Sequence, residues 1–247
     1  MDRSYVGSGS VPRATICLPT YNERANIEPM IRALEPLDVH VLVIDDNSPD
    51  GTGDIADRLA AENAFVSVLH REKKEGLGPA YVAGFHQALA DGADFVLEMD
   101  CDFSHDPADV PRLIAACGEG ADLALGSRYV PGGGTVDWGR GRRFVSTAGS
   151  WYARALLGVS VRDLTGGFKC YRRRVLESID LDAIRSRGYA FQIETTYRAL
   201  RLGFSVVEVP IVFSDRTEGT SKMSRAIVLE AVTRVPALRF AAMAGRI

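Results

Sequence analysis

The chain has 247 residues, 46% of them hydrophobic, which suits one α/β domain with a buried core. A formal net charge of -3 argues against a broad basic surface for nucleic acid, so we expect no nucleic-acid partner. The four cysteines form no C-x-x-C pair, which argues against a zinc cluster or a disulfide framework and favours a reducing compartment. We expect neither a signal peptide nor a membrane-spanning helix, because no apolar run approaches roughly 20 residues.

Short apolar runs alternate with longer amphipathic runs, a pattern typical of a mostly parallel sheet covered by helices. The predicted strands are ATICLP, HVLVID, FVSVLH, DFVLEMD, ADLALGSR, FKCYRR and SVVEVPIVF, in chain order. Helices are predicted from about Asn22, after Gly51, over GPAYVAGFHQALADG, from the Asp106 and Pro107 pair, over RRFVSTAGSWYARALLG and over FQIETTYRALRLG. The sequence therefore predicts one α/β domain, preceded by a loose lead-in and followed by a tail.

Polar clusters follow four of the predicted strands, at residues 20–23, 45–48, 100–105 and 127–128. In open α/β sheets, ligands bind where the carboxyl ends of the strands and their loops converge. We therefore expect these clusters to line one shared cleft.

Asp100 and Asp102 follow an apolar strand directly, in the stretch EMDCDFSH. Two carboxylates at positions i and i+2 of an extended segment point the same way, and their mutual repulsion calls for a cation. Mg²⁺ prefers oxygen ligands and is usually held by one or two carboxylates together with substrate phosphates. A second D-x-D, at Asp180 and Asp182, lies in a polar stretch and is expected to be structural. We expect His105 to cap the next helix.

Seven motifs carry a resemblance to a known family: PTYNE, DDNSPDGT, GLGPAY, MDCDFSHDP, GSRYVPGG, LTGGFKCYRR and RTEGTSKM. Read together, they resemble the inverting family-two glycosyltransferases of the GT-A fold, and among these the polyprenol-phosphate (dolichol-phosphate) mannose synthases. The resemblance extends from about Ala14 to Met223. It implies a flexible lead-in over residues 1–13, a GT-A catalytic domain over 14–223 with a mostly parallel central sheet flanked by helices, and a helical tail over 224–247.

The same resemblance assigns roles to individual residues. It implies that the nucleoside of GDP-mannose is bound by Pro19, Tyr21, Glu23, Ile44 and Asp46. The donor diphosphate and a divalent ion, Mg²⁺ or Mn²⁺, would be surrounded by Asp100, Cys101, Asp102 and Ser104. The donor diphosphate would also be clamped by Arg216 and Lys222. The phosphate of a polyprenyl acceptor would be bound by Arg128 and Arg142, with Ser146 nearby and with Arg143 able to exchange roles with Arg142.

The chemistry of the basic residues agrees with these roles. Arginine presents a planar fork that suits phosphate oxygens, and lysine presents a compact charge. Charge runs are usually solvated surfaces, but Arg142 and Arg143 follow a glycine-rich loop and Arg128 ends a neighbouring strand, which favours phosphate binding. For Arg172 to Arg174 we expect a structural role or contact with anionic headgroups.

The implied reaction is attack by the acceptor phosphate on the anomeric carbon of mannose, with inversion and departure of GDP. A phosphate monoester has a second pKa near about 6, so the nucleophile is largely deprotonated at neutral pH and no catalytic base is expected. A large loss of activity on replacing Glu194, with metal and donor binding unchanged, would contradict this scheme.

The tail SRAIVLEAVTRVPALRFAAMAGRI spreads apolar residues among four arginines. Such a segment can lie in a membrane interface or pack on the domain, and the residues leave both open. Pro236 is expected to interrupt it. We expect a cytoplasmic protein attached peripherally to the inner face of the membrane, which a membrane-protein partner or a fused membrane domain could assist.

Three other functions compete with this one. A polyprenyl-phosphate glucose synthase, or another family-two enzyme that uses a UDP-sugar, would share the metal pair. A non-catalytic nucleotide-sugar binding module would not need the acceptor residues. A dinucleotide-dependent dehydrogenase is discarded, because PTYNE stands where a G-x-G-x-x-G would follow the first strand.

Overall fold

The computed structural model describes residues 13–136, 138–214 and 225–245. Its main sheet has seven strands in the order β3-β2-β1-β4-β7-β5-β8, and a second sheet pairs β6 with β9. The strands are β1 Ala14–Thr20, β2 His40–Asp45, β3 Val66–His70, β4 Phe95–Glu98, β5 Leu123–Ser127, β6 Gly134–Thr135, β7 Lys169–Arg172, β8 Val206–Pro210 and β9 Val212–Phe213. Only β7 in the main sheet runs antiparallel to its neighbours, so the predicted mostly parallel sheet is confirmed.

Helices cover both faces of the main sheet. They are α1 Ile27–Leu34, α2 Thr52–Glu62, α3 Leu77–Ala90, α4 Val110–Gly118, α5 Arg140–Leu157, α6 Arg173–Ser178, α7 Tyr189–Arg201 and α8 Arg225–Met243. Alternate residues of the central strands point to opposite cores: Ile16 and Leu18 pack with α1 and α4, while Cys17 packs with α3. This burial on both faces explains why the parallel strands read as continuous apolar runs.

Two local features of the first βα connection and the fourth helix follow from their residues. The first helix begins at Ile27, so the prediction of a start near Asn22 was wrong: Asn22 has a φ of 58°, a left-handed conformation that cannot continue a right-handed helix. The Asp106 carboxylate accepts a hydrogen bond from the Ala108 N–H at 2.9 Å and caps a 3-10 helix over Pro107–Asp109, which leads directly into α4. The predicted helix start at Asp106 and Pro107 is therefore confirmed, although its first turn is 3-10.

The tail forms one helix, α8, with Pro236 inside it, so the expected interruption at Pro236 was wrong. Val235, Leu238 and Ala242 are buried in a cluster shared with α5 and α7. This packing supports the helix where proline removes a backbone hydrogen bond. Among the described residues, none of the helices is both long enough and apolar enough to cross a bilayer.

Helix α3 lies against the sheet at Gly84, where a Cβ atom would stand 2.3 Å from Ile44 Cδ1 and 3.1 Å from Cys17 Sγ. The close approach leaves the Cys17 thiol fully buried. Burial, with a smaller contribution from the nearby Glu98 carboxylate, raises the pKa of this thiol far above its ordinary value of 9.0.

We therefore expect the chain to lose stability in alkali. Because the pKa of Cys17 is higher in the folded than in the unfolded state, its contribution is complete below pH 9.0 and is lost as the pH rises above that value. Cys17→Ala should reduce the slope of unfolding free energy against pH, above pH 9.5, by about 1.4 kcal/mol per pH unit. Urea denaturation between pH 8 and 10.5 measures this slope, and an identical slope in both proteins would contradict the assignment.

Candidate active site

The four polar clusters lie at the carboxyl edge of the main sheet, but only the first three contribute residues to one cleft. Residues 127–128 end β5 and do not line it, so the prediction of one shared cleft is confirmed only in part. The register pairs Thr20 with Asp45 across β1 and β2, and β4 lies on the other side of β1. A cleft of about 390 Å³ opens there. Its lining includes seven residues of the predicted donor site: Pro19, Tyr21, Glu23, Asp46, Asp100, Cys101 and Asp102.

Ser104 is buried in the loop after β4 and does not line this cleft. Ile44 is the other described member of the predicted donor and metal set that does not line it. Its side chain is fully buried in the core beneath, against Gly84. Sequence reasoning did not assign the remaining lining residues, which are Thr20, Lys74, Gly76, Leu77, Ala80, Arg187, Gly188, Tyr189 and Glu230. The motif GLGPAY could have indicated the α3 contribution, whereas nothing local indicated Glu230.

At the outer end of the cleft, the ring of Tyr21 is covered by the ammonium group of Lys74, which lies 3.7 Å from the ring centroid. Asp46 forms an ion pair with Arg71. Burial raises the pKa of Asp46 even though Arg71 opposes the shift. Asp45, by contrast, accepts hydrogen bonds from the N–H and the hydroxyl of Ser48 at 3.0 and 2.6 Å and holds the turn after β2.

At the inner end of the cleft, the loop after β4 makes a tight turn at residues 102–104. Phe103 has a φ of 60°, which non-glycine residues rarely adopt, and this turn brings the Ser104 N–H 3.1 Å from Asp102 Oδ1. Asp102 and Ser104 are buried, and the Ser104 hydroxyl has no hydrogen-bond partner within the described part of the chain. The loop therefore presents two carboxylates to the cleft and holds a buried hydroxyl within the same turn.

His105 holds this loop rather than capping a helix, so the capping prediction was wrong. Its Nδ1 accepts a hydrogen bond from the Asp100 N–H at 3.1 Å, and its ring stacks on Phe168 at 4.7 Å between centroids. The ring also meets the edge of Phe213 at 5.3 Å. Asp106 caps the helix in its place.

A buried polar network lies beneath the carboxylates. The Tyr171 hydroxyl donates to Glu98 Oε1 at 2.8 Å, and Lys169 Nζ donates to Gln192 Oε1 at 2.6 Å and to Thr195 Oγ1 at 3.1 Å. Burial lowers the pKa of Lys169 to about 8, against the charge of Glu98, and burial raises the pKa of Glu98. This network ties β4, β7 and α7 together below the site, and sequence reasoning missed it.

Arg128, at the end of β5, is fixed by a carboxylate that sequence reasoning also missed. Its Nε and Nη2 donate to the two oxygens of Asp163 at 2.7 and 2.6 Å, and its backbone N–H donates to Asp163 at 3.0 Å. The guanidinium group lies 5.4 Å from the ring centroids of both Trp138 and Phe213. Burial opposes the charge, but Asp163 outweighs it and raises the pKa of Arg128.

The other predicted acceptor residues lie along α5. Ser146 accepts a hydrogen bond from the Tyr129 hydroxyl at 2.8 Å, and the centroid of the Tyr129 ring lies 5.3 Å from the guanidinium carbon of Arg128. Arg143 donates to the Thr135 hydroxyl at 2.9 Å. The Arg142 side chain, together with Arg216, Lys222 and the lead-in over residues 1–12, lies outside the described residues.

The remaining charged motifs have structural roles in the fold. Asp180 accepts a hydrogen bond from the Ala183 N–H at 3.1 Å, and the side chain of Asp182 is 85% exposed. The three arginines at the end of β7 and the start of α6 bind backbone carbonyls or acidic side chains: Arg172, Arg173 and Arg174. Neither motif lines the cleft.

Comparison with known proteins agrees with this geometry. The model of the family described as Glycosyl transferase family 2 matches residues 15–180. A polyprenol monophosphomannose synthase of Mycolicibacterium smegmatis is 50% identical over 226 residues, covering 90% of this chain and 85% of its own. An undecaprenyl-phosphate mannosyltransferase of Micrococcus luteus is 50% identical over 225 residues, covering 90% of this chain and 92% of its own.

Solved glycosyltransferases share the fold. A Mycobacterium tuberculosis glucosyl-3-phosphoglycerate synthase, in complex with Mn²⁺, UDP and glucosyl-3-phosphoglycerate, has a TM-score of 0.63 at 24% identity and covers 95% of this chain and 80% of its own. The mannosyltransferase PcManGT from Pyrobaculum calidifontis, in complex with GDP-Man and Mn²⁺, has a TM-score of 0.59 at 14% identity and covers 95% and 74%. The predicted GT-A fold is confirmed.

Proposed function

Because the chain belongs to glycosyl transferase family 2, we propose that it transfers mannose from GDP-mannose to a polyprenyl monophosphate, with inversion, giving polyprenyl-phosphate mannose and GDP. The observation that carries the proposal is the arrangement of groups along the carboxyl edge of the main sheet. A cavity of nucleotide size and a pair of carboxylates lie there, and Arg128, which Asp163 holds in place, ends β5 at the same edge. Of the two relatives at 50% identity, one is named as a polyprenol monophosphomannose synthase and the other as an undecaprenyl-phosphate mannosyltransferase.

The donor nucleotide fits the outer end of the cleft. Tyr21 offers a flat ring beside a base, and Asp46 and Glu23 are acceptors for its donor groups. Lys74 adds positive charge on the same side. Arg216 and Lys222 remain the proposed clamps on the donor diphosphate, by virtue of the resemblance of the RTEGTSK segment.

A divalent cation, Mg²⁺ or Mn²⁺, fits the loop after β4. Asp100 and Asp102 supply carboxylates, and the orphaned hydroxyl of buried Ser104 is a further oxygen within the same turn. Among the described residues, no three His, Cys, Asp or Glu side chains form a metal cluster. Substrate phosphates would complete the coordination of an ion held by this loop. When bound, such an ion would neutralise charge on the departing diphosphate.

The acceptor phosphate fits the other side of the site, where Arg128 ends β5. Asp163 engages Nε and Nη2, which fixes the orientation of the guanidinium plane before any ligand binds. A guanidinium group that is already oriented loses little entropy when it binds phosphate. Arg128, together with Arg142 and Ser146, would therefore hold the acceptor phosphate in a geometry close to that of attack on the donor sugar. Arg143 is engaged with Thr135 and is the weaker candidate.

The site supports a mechanism without a catalytic base. Glu194 Oε2 accepts a hydrogen bond from Ser186 at 2.6 Å, and Oε1 accepts two from Arg198 at 3.0 and 2.8 Å. Both oxygens of this buried carboxylate are therefore engaged in the core. Because the phosphate nucleophile is largely deprotonated at neutral pH, it needs no proton acceptor.

A radiolabelled transfer assay tests the function. We expect label to move into polyprenyl phosphate in detergent from GDP-mannose, with Mg²⁺ present, and not from UDP-glucose. Parallel titrations with GDP and UDP compare the nucleotides directly. Transfer from UDP-glucose alone would replace the proposed donor, and nucleotide binding without lipid product would leave only a binding module.

We also propose that the protein attaches to a membrane surface through an apolar strip, formed by five exposed side chains of α5 and α8. Their exposed fractions are 73% for Phe144, 68% for Trp151, 48% for Val232, 69% for Phe240 and 72% for Met243. Large apolar side chains exposed on one surface mark interaction sites, and aromatic residues suit the membrane interface. We place the protein on the cytoplasmic side, bound to the inner face of the membrane.

The two helices present the strip together. The Tyr152 hydroxyl donates to the Val232 carbonyl at 3.1 Å, and Arg239 donates to the Leu157 carbonyl at 3.4 Å, so α5 and α8 lie side by side. Ser146, beside the acceptor arginine, is on the same helix as Trp151. An acceptor phosphate at Arg128 could therefore keep its polyprenyl chain in the membrane.

Vesicle binding tests the strip. The double variant Trp151→Ser, Phe240→Ser should bind vesicles containing anionic lipid at least about 10-fold more weakly, because two large apolar contacts are lost. Co-sedimentation measures this. Leu202→Ser is the matched control, since Leu202 is 50% exposed on α7's C-terminal side and outside the strip. Equal losses in both proteins would show that the strip has no special role.

A further inference from the structure

One wall of the donor cleft is formed by residues 185–189, here called the strap, which precede and begin α7. Arg187 and Tyr189 of the strap line the cleft together with residues that follow β1 and β2. Sequence reasoning gave this segment no role. If the proposed donor site is correct, the strap forms one wall of the space that the nucleotide occupies.

The backbone of Arg187 is held from two sides. Its N–H donates to Glu230 Oε1 of α8 at 2.7 Å, and its carbonyl accepts from the Gly78 N–H at the start of α3 at 3.0 Å. On the α3 side the approach requires glycine, because a Cβ atom at Gly78 would stand 2.2 Å from the Ser186 carbonyl oxygen. A third contact, from Arg234 to the Arg185 carbonyl at 3.1 Å, also comes from α8.

The strap is anchored to the core as well. The buried hydroxyl of Ser186 donates to Glu194 at 2.6 Å, and Arg198 fixes that carboxylate. The core anchor and α3 hold the strap from within the domain, whereas Glu230 holds it from the tail helix. Glu230 itself also lines the cleft.

We infer that Glu230 is a positioning residue for donor binding, and hence that the C-terminal helix α8 is part of the donor site as well as of the apolar strip. The inference rests on the proposed donor site. Loss of the Glu230 carboxylate leaves the Arg187 N–H without its partner and frees one side of the strap. The nucleotide must then order the strap when it binds, which lowers its affinity.

The hydrogen bond needs an acceptor oxygen rather than a charge, which gives a conservative variant. Glu230→Ala removes the acceptor, whereas Glu230→Gln keeps an amide oxygen at the same reach. Gly78→Ala displaces the strap from the opposite side without altering α8. Glu119→Ala removes an exposed glutamate outside the cleft and serves as the matched control.

The experiment titrates GDP, and UDP in parallel, into the full chain with Mg²⁺ in detergent, and measures donor KM, acceptor KM and kcat. We expect Glu230→Ala to raise the GDP Kd and the donor KM about 10-fold, with acceptor KM and thermal midpoint near those of wild type. Gly78→Ala should raise the same two constants and also lower the thermal midpoint, because the added methyl group forces the strap backbone away from α3. Glu230→Gln and Glu119→Ala should stay within about twofold of wild type.

Two failures are distinguishable. A wild-type chain that binds neither nucleotide overturns the donor site and the inference with it. Normal wild-type binding with an unchanged GDP Kd in Glu230→Ala overturns the inference alone. Equal rises of donor KM and acceptor KM would also overturn the inference, because a general loss of structure would then explain the result. An equal loss of GDP affinity in Glu230→Gln would overturn it too, because the charge of the glutamate would then be the cause.

Discussion

Replacing Asp102 by alanine is expected to lower kcat at least about 1000-fold, since one metal-binding carboxylate and the charge stabilisation of the departing diphosphate are lost together. The substitution also removes Asp102 Oδ1, which accepts the Ser104 N–H, so thermal unfolding of the variant is measured beside the assay to separate loss of the metal ligand from loss of the turn. Transfer of radiolabelled mannose with and without Mg²⁺ measures the effect. In the variant, added Mg²⁺ should no longer strengthen GDP binding.

The chain carries its own control for this experiment. Asp182 belongs to a second D-x-D, and its side chain is 85% exposed, near His86 and away from the cleft. Asp182→Ala should leave transfer within about twofold of wild type, since surface substitutions rarely exceed about 0.5 kcal/mol. Comparable losses in Asp102→Ala and Asp182→Ala, or full Mg²⁺ dependence in Asp102→Ala, would exclude the metal pair proposed here.

Arg128→Lys is expected to have the second large effect. Lysine keeps the positive charge but lacks the planar fork that binds both oxygens of Asp163, so the charge is no longer held in place. We expect kcat/KM for the lipid phosphate to fall about 100-fold, while the GDP Kd stays within about twofold. The measurement is steady-state transfer at varied polyprenyl phosphate, together with GDP titration.

Two further variants separate positioning from general instability. Asp163→Asn leaves Arg128 in place but weakens its orientation, so it should reproduce part of the loss in acceptor kcat/KM. Arg162→Lys changes an exposed arginine next to Asp163 and should behave as wild type. A GDP Kd that rises as much as acceptor KM in Arg128→Lys would mean that the residue supports the whole domain rather than the acceptor.

The carboxylate pair could be predicted from sequence because its geometry is local. Asp100 and Asp102 lie two residues apart directly after an apolar strand, so the sequence alone places both in one loop at the carboxyl edge of the sheet, and both line the cleft there. The partner of Arg128 could not be found in this way. Asp163 lies 35 residues further along the chain, and only the pairing of β5 with β7 and the loop before β7 bring it to the guanidinium group.

The Glu98 network was missed for the same reason. Its members come from β4, β7 and α7, and each reads in isolation as an ordinary strand or helix residue. The helix starts were predicted where a local signal was strong, as at Asp106, and misplaced near Asn22, where a left-handed residue delays the helix. The local residue preferences therefore predicted whether a segment is a helix or a strand. The residues at which the helices begin depended on the backbone conformation of the preceding loops.

The sequence by itself determined the α/β class, the mostly parallel sheet and the edge where the polar clusters meet, because strand and helix periods and turn residues are local properties. The tertiary structure alone decided the course of α8 through Pro236, the strap held by Glu230 and the pairing of Arg128 with Asp163. Each of these depends on contacts between residues far apart in the chain, for which a single sequence has no periodic signal.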